Sequence, residues 1–222
     1  MNTTAGDGGP QATDDGSHTS DDDRQPRPTE GLSVGVVSLG CAKNLVDTEV
    51  MLGHLTRAGC ELVQDPADAD VILINTCGFI EPAREESVQT ILDVAEMKKT
   101  GRLRRLVVAG CMVQQHRDEL RVELPEVDAF IGLDELDRVV SRTGLAGEPV
   151  APEPDRGSEP QVVPATYLYD DRTPRVLATP RWSAYIKIAE GCDHTCSFCS
   201  IPTFRGTFRS RTPGSIAREA SD

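Results

Sequence analysis

Three cysteines lie within eight residues in Gly191-Cys192-Asp193-His194-Thr195-Cys196-Ser197-Phe198-Cys199, a C-x3-C-x2-C loop. Three thiolates so spaced can hold three irons of a 4Fe-4S cluster and leave the fourth iron without a protein ligand. An open iron can chelate the amino and carboxylate groups of S-adenosylmethionine and pass an electron into its sulfonium. The C–S bond then breaks to a 5′-deoxyadenosyl radical, with the cofactor carrying the hard chemistry. Zinc is the other chemistry open to such a loop, although structural zinc takes four ligands and commonly uses paired C-x2-C units. His194 is a candidate fourth donor, but its place inside the loop points it away from the site its neighbours form.

A second set, Cys41, Cys77 and Cys111, is dispersed, and each member closes an apolar run. Val34–Leu39 ends in Gly40-Cys41, Val71–Thr76 in Cys77-Gly78, and Leu106–Ala109 in Gly110-Cys111. These runs are short, β-branched and free of alternation, as strands buried on both faces of a parallel sheet should be. The carboxyl ends of such strands converge on one edge, so three thiols far apart in sequence would meet there and form a metal site. Taken singly, each cysteine reads as a small buried hydrophobe. Cys60, following Gly59 at the start of a strand, lacks the placement and is assigned to packing. The glycines beside the three cysteines either let the backbone approach a cluster closely or make ordinary strand-to-helix turns.

Helices must fill the intervals. Residues 42–58 bring Leu45, Met51, Leu52 and Leu55 near one face before Gly59. Residues 82–99 open on Pro82, align Val88, Ile91, Leu92 and Ala95, and end in Lys98-Lys99, where positive charge suits the helix dipole. Residues 112–123 read as a third helix stopped by Pro125, followed by a short strand at 129–131 and a short helix at 135–142. The alternation predicts an α/β fold: an N-terminal parallel-sheet domain over 33–143 with helices on both faces. Residues 1–31 are expected to be a disordered acidic tail, and 144–182, rich in Pro and Gly, a linker. Ser183–Ile188 is expected to be the strand that opens a second domain, over 183–222.

The chain has 222 residues, with 36 acidic and 23 basic side chains and a formal net charge of −13. That balance argues against non-specific binding to nucleic acid or an anionic membrane. No apolar stretch is long enough to span a membrane, and the N-terminus lacks the features of a secretory signal. A cytoplasmic location is therefore expected, where seven cysteines are metal ligands or catalytic groups rather than disulfides. His54 and His116 read as surface or packed residues on helices. Arg205, Arg209 and Arg211 form a basic patch, which either faces a substrate or cofactor carboxylate or is a solvated charge run.

The stretch Ser38-Leu39-Gly40-Cys41-Ala42-Lys43-Asn44-Leu45-Val46-Asp47-Thr48-Glu49, with Asn75-Thr76-Cys77-Gly78-Phe79-Ile80 and Ala109-Gly110-Cys111, resembles the N-terminal domain of the methylthiotransferase family. Glu190 through Cys199, with Ile201-Pro202 and Arg205-Gly206, resembles the start of that family's radical S-adenosylmethionine (β/α) barrel. The resemblance covers residues 33–222. The residues after Cys41 and Cys77 are similar to the branch that adds a methylthio group to the β-carbon of an aspartate of ribosomal protein uS12, rather than to the branch that modifies a tRNA adenosine. A non-enzymatic iron–sulfur or zinc protein is the third reading. The resemblance implies two 4Fe-4S clusters, one on Cys192, Cys196 and Cys199 and an auxiliary one on Cys41, Cys77 and Cys111. It implies S-adenosylmethionine as cofactor, Phe198 packed near its adenine, uS12 as substrate and an external electron donor. Family members are longer, so the barrel begun at residue 183 is expected to be incomplete here and turnover absent.

Overall fold

The structure, a computed structural model, describes residues 31–101, 103–143 and 162–222. The expected acidic tail, apart from Gly31, and the first part of the expected linker lie outside the described residues. Five parallel strands form one sheet: β1 (Ser33–Ser38), β2 (Glu61–Val63), β3 (Val71–Thr76), β4 (Arg105–Gly110) and β5 (Ala129–Ile131), in the order β2-β1-β3-β4-β5. Consecutive side chains on these strands alternate between two cores. Ile72, Ile74, Leu106 and Val108 pack with α2 (Glu81–Thr100) and α3 (Cys111–Glu123). Val71, Leu73, Val107 and Ala109 pack on the other face with α1 (Ala42–Arg57) and the short α4 (Val139–Arg142). Every residue of β3 is buried, which explains why residues 71–74 form a continuous apolar run rather than an alternating one. The α/β fold with helices on both faces of a parallel sheet is as the sequence predicts.

Two helical faces differ in detail. Leu92 is 42% exposed, and its expected place in the α2 stripe is taken by Val94 beside Ile91 and Ala95. On α1, burial extends around almost the whole helix and includes Asn44, Asp47, Thr48 and Glu49. The sheet covers one side; residues 165–190 cover the other. Val176 N–H donates to Glu49 C=O at 3.0 Å, and Ala178 N–H to the Glu49 carboxylate at 2.8 Å. Tyr169 packs against Val46 and Val50. Residues 162–182, placed by sequence in the linker, are thus a strap bonded along α1.

The strand expected at Ser183–Ile188 does not form. Only Ala189–Glu190 (β6) pairs, antiparallel, with Arg209–Ser210 (β7). The apolar pattern of Tyr185–Ile188 favours a strand, but among the described residues no neighbouring strand is hydrogen-bonded to it, and Tyr185 and Ile188 are half exposed. Two helices complete the chain, α5 (Ile201–Arg205) and α6 (Pro213–Ser221), the latter capped by the Thr212 hydroxyl accepting from Ser215 N–H. Among the described residues no helix is long and apolar enough to cross a membrane.

Candidate iron–sulfur site

The sheet order reverses direction between β1 and β3, the place where open α/β sheets form a crevice at their carboxyl edge. The dispersed cysteines stand there. Cys41 caps the start of α1 and is exposed, Cys77 directly follows β3, and Cys111 opens α3 after β4. Gly40, at φ +89°, lies so close to Cys77 that a Cβ would be 2.7 Å from the Cys77 Cβ and 3.1 Å from its Sγ. The glycine therefore brings the Cys41 turn against Cys77 in a backbone region that other residues rarely adopt. Gly110, at φ +102°, makes the corresponding turn into Cys111, while Gly78 gives α3 room to pack, since a Cβ there would meet Met112.

Asn44 and Asn75 tie these turns together. Asn44 Nδ2 donates to Leu39 C=O at 2.8 Å and to Thr76 C=O at 3.1 Å. Asn75 Nδ2 donates to Asn44 C=O and to Thr48 Oγ1, both at 2.8 Å. Cys77 N–H donates to Ser87 Oγ at 3.3 Å, and the Cys111 thiol to Asn44 Oδ1 at 3.6 Å. The carboxyl edge is thus held by polar side chains inside a sheet that is otherwise apolar.

The C-x3-C-x2-C loop is fixed at its start and its end. Gly191, at φ +75°, has no room for a side chain beside Gly206 C=O, and Cys192 N–H donates to that same carbonyl at 3.0 Å. Cys199 N–H closes a turn onto Cys196 C=O at 3.1 Å, and Asp193 accepts from Phe208 N–H at 2.8 Å. Cys196 is exposed, and Cys192 and Cys199 are half-buried. Phe198, on the turn between them, is 85% exposed.

A buried set of charges joins the two cysteine groups. Lys187 donates to Asp47 and, at 2.8 Å, to Glu190. Arg205 donates to Glu190 at 2.9 Å, to Asp47 at 3.2 Å and to Cys111 Sγ at 2.9 Å. Two acids and two bases close a square, every member of which is less than one-tenth exposed. Lys43 reaches Glu190 from the rim at 3.3 Å and Ala189 C=O at 2.9 Å. Burial alone would raise the Glu190 carboxyl; Lys187 and Arg205 outweigh it and hold it down at about 2. Burial pushes the Cys111 thiol up to about 11, only partly offset by Arg205. Glu190 immediately precedes Gly191-Cys192, so this network connects Cys111 on α3 to the base of the cysteine loop.

The basic patch read from the sequence is therefore not one solvated surface. Arg205 is 2% exposed in the square, and Arg211 is 5% exposed, paired with Glu219 and lying over the Tyr169 ring at 4.5 Å. Arg209 donates to the carbonyls of Thr207 and Arg205. The sequence alone does not mark Asp47 and Lys187 as site residues. Their signal is a charge set in an otherwise buried pattern, between Val46 and Val50 for Asp47 and within Tyr185-Ile186-Lys187-Ile188 for Lys187. Cys60 is buried in the core with Met51 and Leu55, away from both sets. His54 is half-buried on α1, its basicity lowered by burial, and His116 pairs with Glu119.

Among the described residues no three Cys, His, Asp or Glu side chains are close enough to share one metal ion. An iron–sulfur cluster does not ask for that, because each thiolate binds a different iron. The donor sets suit such a cluster: three soft ligands each, a glycine cradle at Cys77, and an Arg205 donor on the Cys111 sulfur of the kind that tunes a cluster.

Residues 33–132 match the family described as uncharacterized protein family UPF0004. Over 190 residues the chain is 55% identical to the ribosomal protein uS12 methylthiotransferase RimO of Solibacter usitatus, covering 86% of this chain and 38% of that protein. The RimO proteins of Heliobacterium modesticaldum and Koribacter versatilis are 52% and 44% identical, over 85% and 86% of this chain and 39% and 45% of their own lengths. The chain thus spans about two-fifths of the length of these curated relatives. The family match takes in Cys41, Cys77 and Cys111, and over most of its length this chain is similar to RimO-type methylthiotransferases.

Proposed function

We propose that this chain carries the two cluster-binding sites of a cytoplasmic methylthiotransferase that modifies the β-carbon of an aspartate of ribosomal protein uS12. What supports the reading is the placement of Cys41, Cys77 and Cys111 just past the carboxyl ends of β1, β3 and β4, with Cys111 joined through Arg205 and Glu190 to the C-x3-C-x2-C loop. Cys192, Cys196 and Cys199 would hold one 4Fe-4S cluster and Cys41, Cys77 and Cys111 the other. With S-adenosylmethionine and an external electron donor, these clusters supply radical chemistry and a transferable sulfur. The chain's own residues supply position. Gly40 and Gly110 set the turns that present the thiols, Asn44 and Asn75 hold those turns, and Arg205 donates a hydrogen bond from its cationic guanidinium to the Cys111 sulfur. Phe198 is exposed on the cysteine loop, where it is free to cover a bound adenine.

The tRNA-modifying reading and the simple metal-binding reading are separated from this one by two measurements. Anaerobic reconstitution should give about eight irons per chain, falling to about four when Cys192, Cys196 and Cys199 are all changed to Ala. About one zinc and little iron would end the cluster reading. Binding of the iron-loaded protein to purified uS12 and to a tRNA anticodon stem-loop, compared at one ionic strength, should then favour uS12; a preference for the tRNA would reassign the substrate.

A further inference from the structure

Between the first half of α2 and α3 runs a cleft that the cysteine site does not use. Its floor is apolar, made of Val88, Met112, Leu120 and Leu124. Its walls are acidic, carrying Glu81, Glu85, Glu119 and Glu123. One guanidinium and one imidazole stand on the rim and both are engaged: Arg84 pairs with Glu81, and His116 Nδ1 lies 3.2 Å from Glu119. Glu85 and Glu123 have no ion-pair partner among the described residues.

One end of the cleft lies by the cysteine edge, where Glu81 and Met112 line it. Phe79 and Ile80, 42% and 53% exposed, connect Cys77 to the start of α2, and Met112 directly follows Cys111. A polypeptide lying along the floor would therefore be led to the place where the thiols stand. An apolar floor under uncompensated carboxylates selects its occupant by chemistry. Phosphate-bearing partners such as RNA or an anionic bilayer are repelled by the walls. A segment carrying lysine or arginine can lay its aliphatic stems on the floor and pair its charged ends with the rim. A protein that lives on ribosomal RNA bears many such residues, because it must neutralise phosphates.

We infer that the α2–α3 cleft is a docking groove for a lysine- and arginine-bearing segment of the protein substrate, and the inference rests on the functional reading above. The test measures the affinity of the iron-loaded protein for purified uS12 at fixed ionic strength by fluorescence anisotropy. Three proteins are compared: the parent, an E85Q/E123Q variant, and an E61Q/D68N variant that removes the same charge at exposed positions on and just after β2. The groove variant should bind about tenfold more weakly, and the β2 variant should change by less than about twofold. Equal weakening in both would assign the effect to overall charge and overturn the groove. Undiminished binding by the groove variant, with the parent binding tightly, would overturn the groove and leave the functional reading standing. A parent that ignores uS12 and binds a tRNA anticodon stem-loop would bring down both.

Discussion

Arg205 is held by two acids and a sulfur. Its guanidinium donates separately to Glu190, Asp47 and Cys111 Sγ, using the fork geometry that a lysine ammonium lacks. Changing it to Met would leave Asp47 and Glu190 buried with Lys187 as their shared buried cation. Breaking a buried pair by removing one partner costs about 3–5 kcal/mol, because the stranded charge cannot reach water. The expected result is that loss in urea unfolding of the metal-free protein, with Arg205→Lys recovering only part of it. A loss below about 1 kcal/mol for Arg205→Met would show that the square is not holding the two segments together. The sequence exposes Arg205 as a charge near the cysteine loop, but not its environment. Its partners lie 15 and 158 positions away, and burial of that kind is decided by which surfaces meet.

The junction of α3, the turn at Leu133–Arg138 and α4 depends on one carboxylate. Glu135 pairs with Arg117 from α3, accepts from Gly132 N–H at 2.8 Å, and lies 3.2 Å from Arg142 on α4. Burial would raise its carboxyl, but Arg117, Gly132 N–H and Arg142 outweigh it and hold it below the ordinary carboxylate range. The unfolded chain therefore takes up this proton more readily than the folded one. The resulting stability is complete above the ordinary carboxylate range and is lost as pH falls through the lowered folded value. Glu135→Gln should cost about 2 kcal/mol at neutral pH, the worth of hydrogen bonds to a charged group, and the gap to the parent should close in acid. Urea midpoints at pH 7 and pH 3 check this; a gap that stays constant would mean the variant acts through shape rather than charge. Elements like these were largely legible in advance. The runs at 71–76 and 129–131 are the observed β3 and β5, and the cysteine placement follows from them. The strand expected at 183–188 was not, because strand propensity cannot supply a hydrogen-bonding partner.

At the scale of the molecule, the strap crossing α1 makes the sheet domain and the cysteine loop one packed body. Glu49, wholly buried, accepts from Arg175 Nε at 2.9 Å, and Arg175 also reaches Glu219 on α6 at 2.5 Å. One-sided amphipathicity could not reveal this, since α1 is covered on its polar side as well. The clearest sign is Gly53. In an α-helix a glycine costs about 1 kcal/mol relative to alanine, so Gly53→Ala would be stabilising on an exposed helix. Here a Cβ would overlap the Pro174 carbonyl and stand 2.5 Å from Arg175 N, both backbone atoms of the strap. Backbone cannot rotate aside as a side chain can, so the strap must lift, and overpacking of this kind costs about 1–3 kcal/mol. Gly53→Ala should therefore lower stability, and the Val176 and Ala178 amides, both bonded to Glu49, should exchange faster than in the parent. Amides in β3 should keep their relative protection, because the sheet lies on the opposite side of α1. A stabilised variant with unchanged exchange at Val176 would mean the strap does not rest on α1 in solution, and the link from the cysteine loop to the sheet would then rest on the Asp47–Lys187–Glu190–Arg205 square and on Phe204 packed against Cys111 and Leu133.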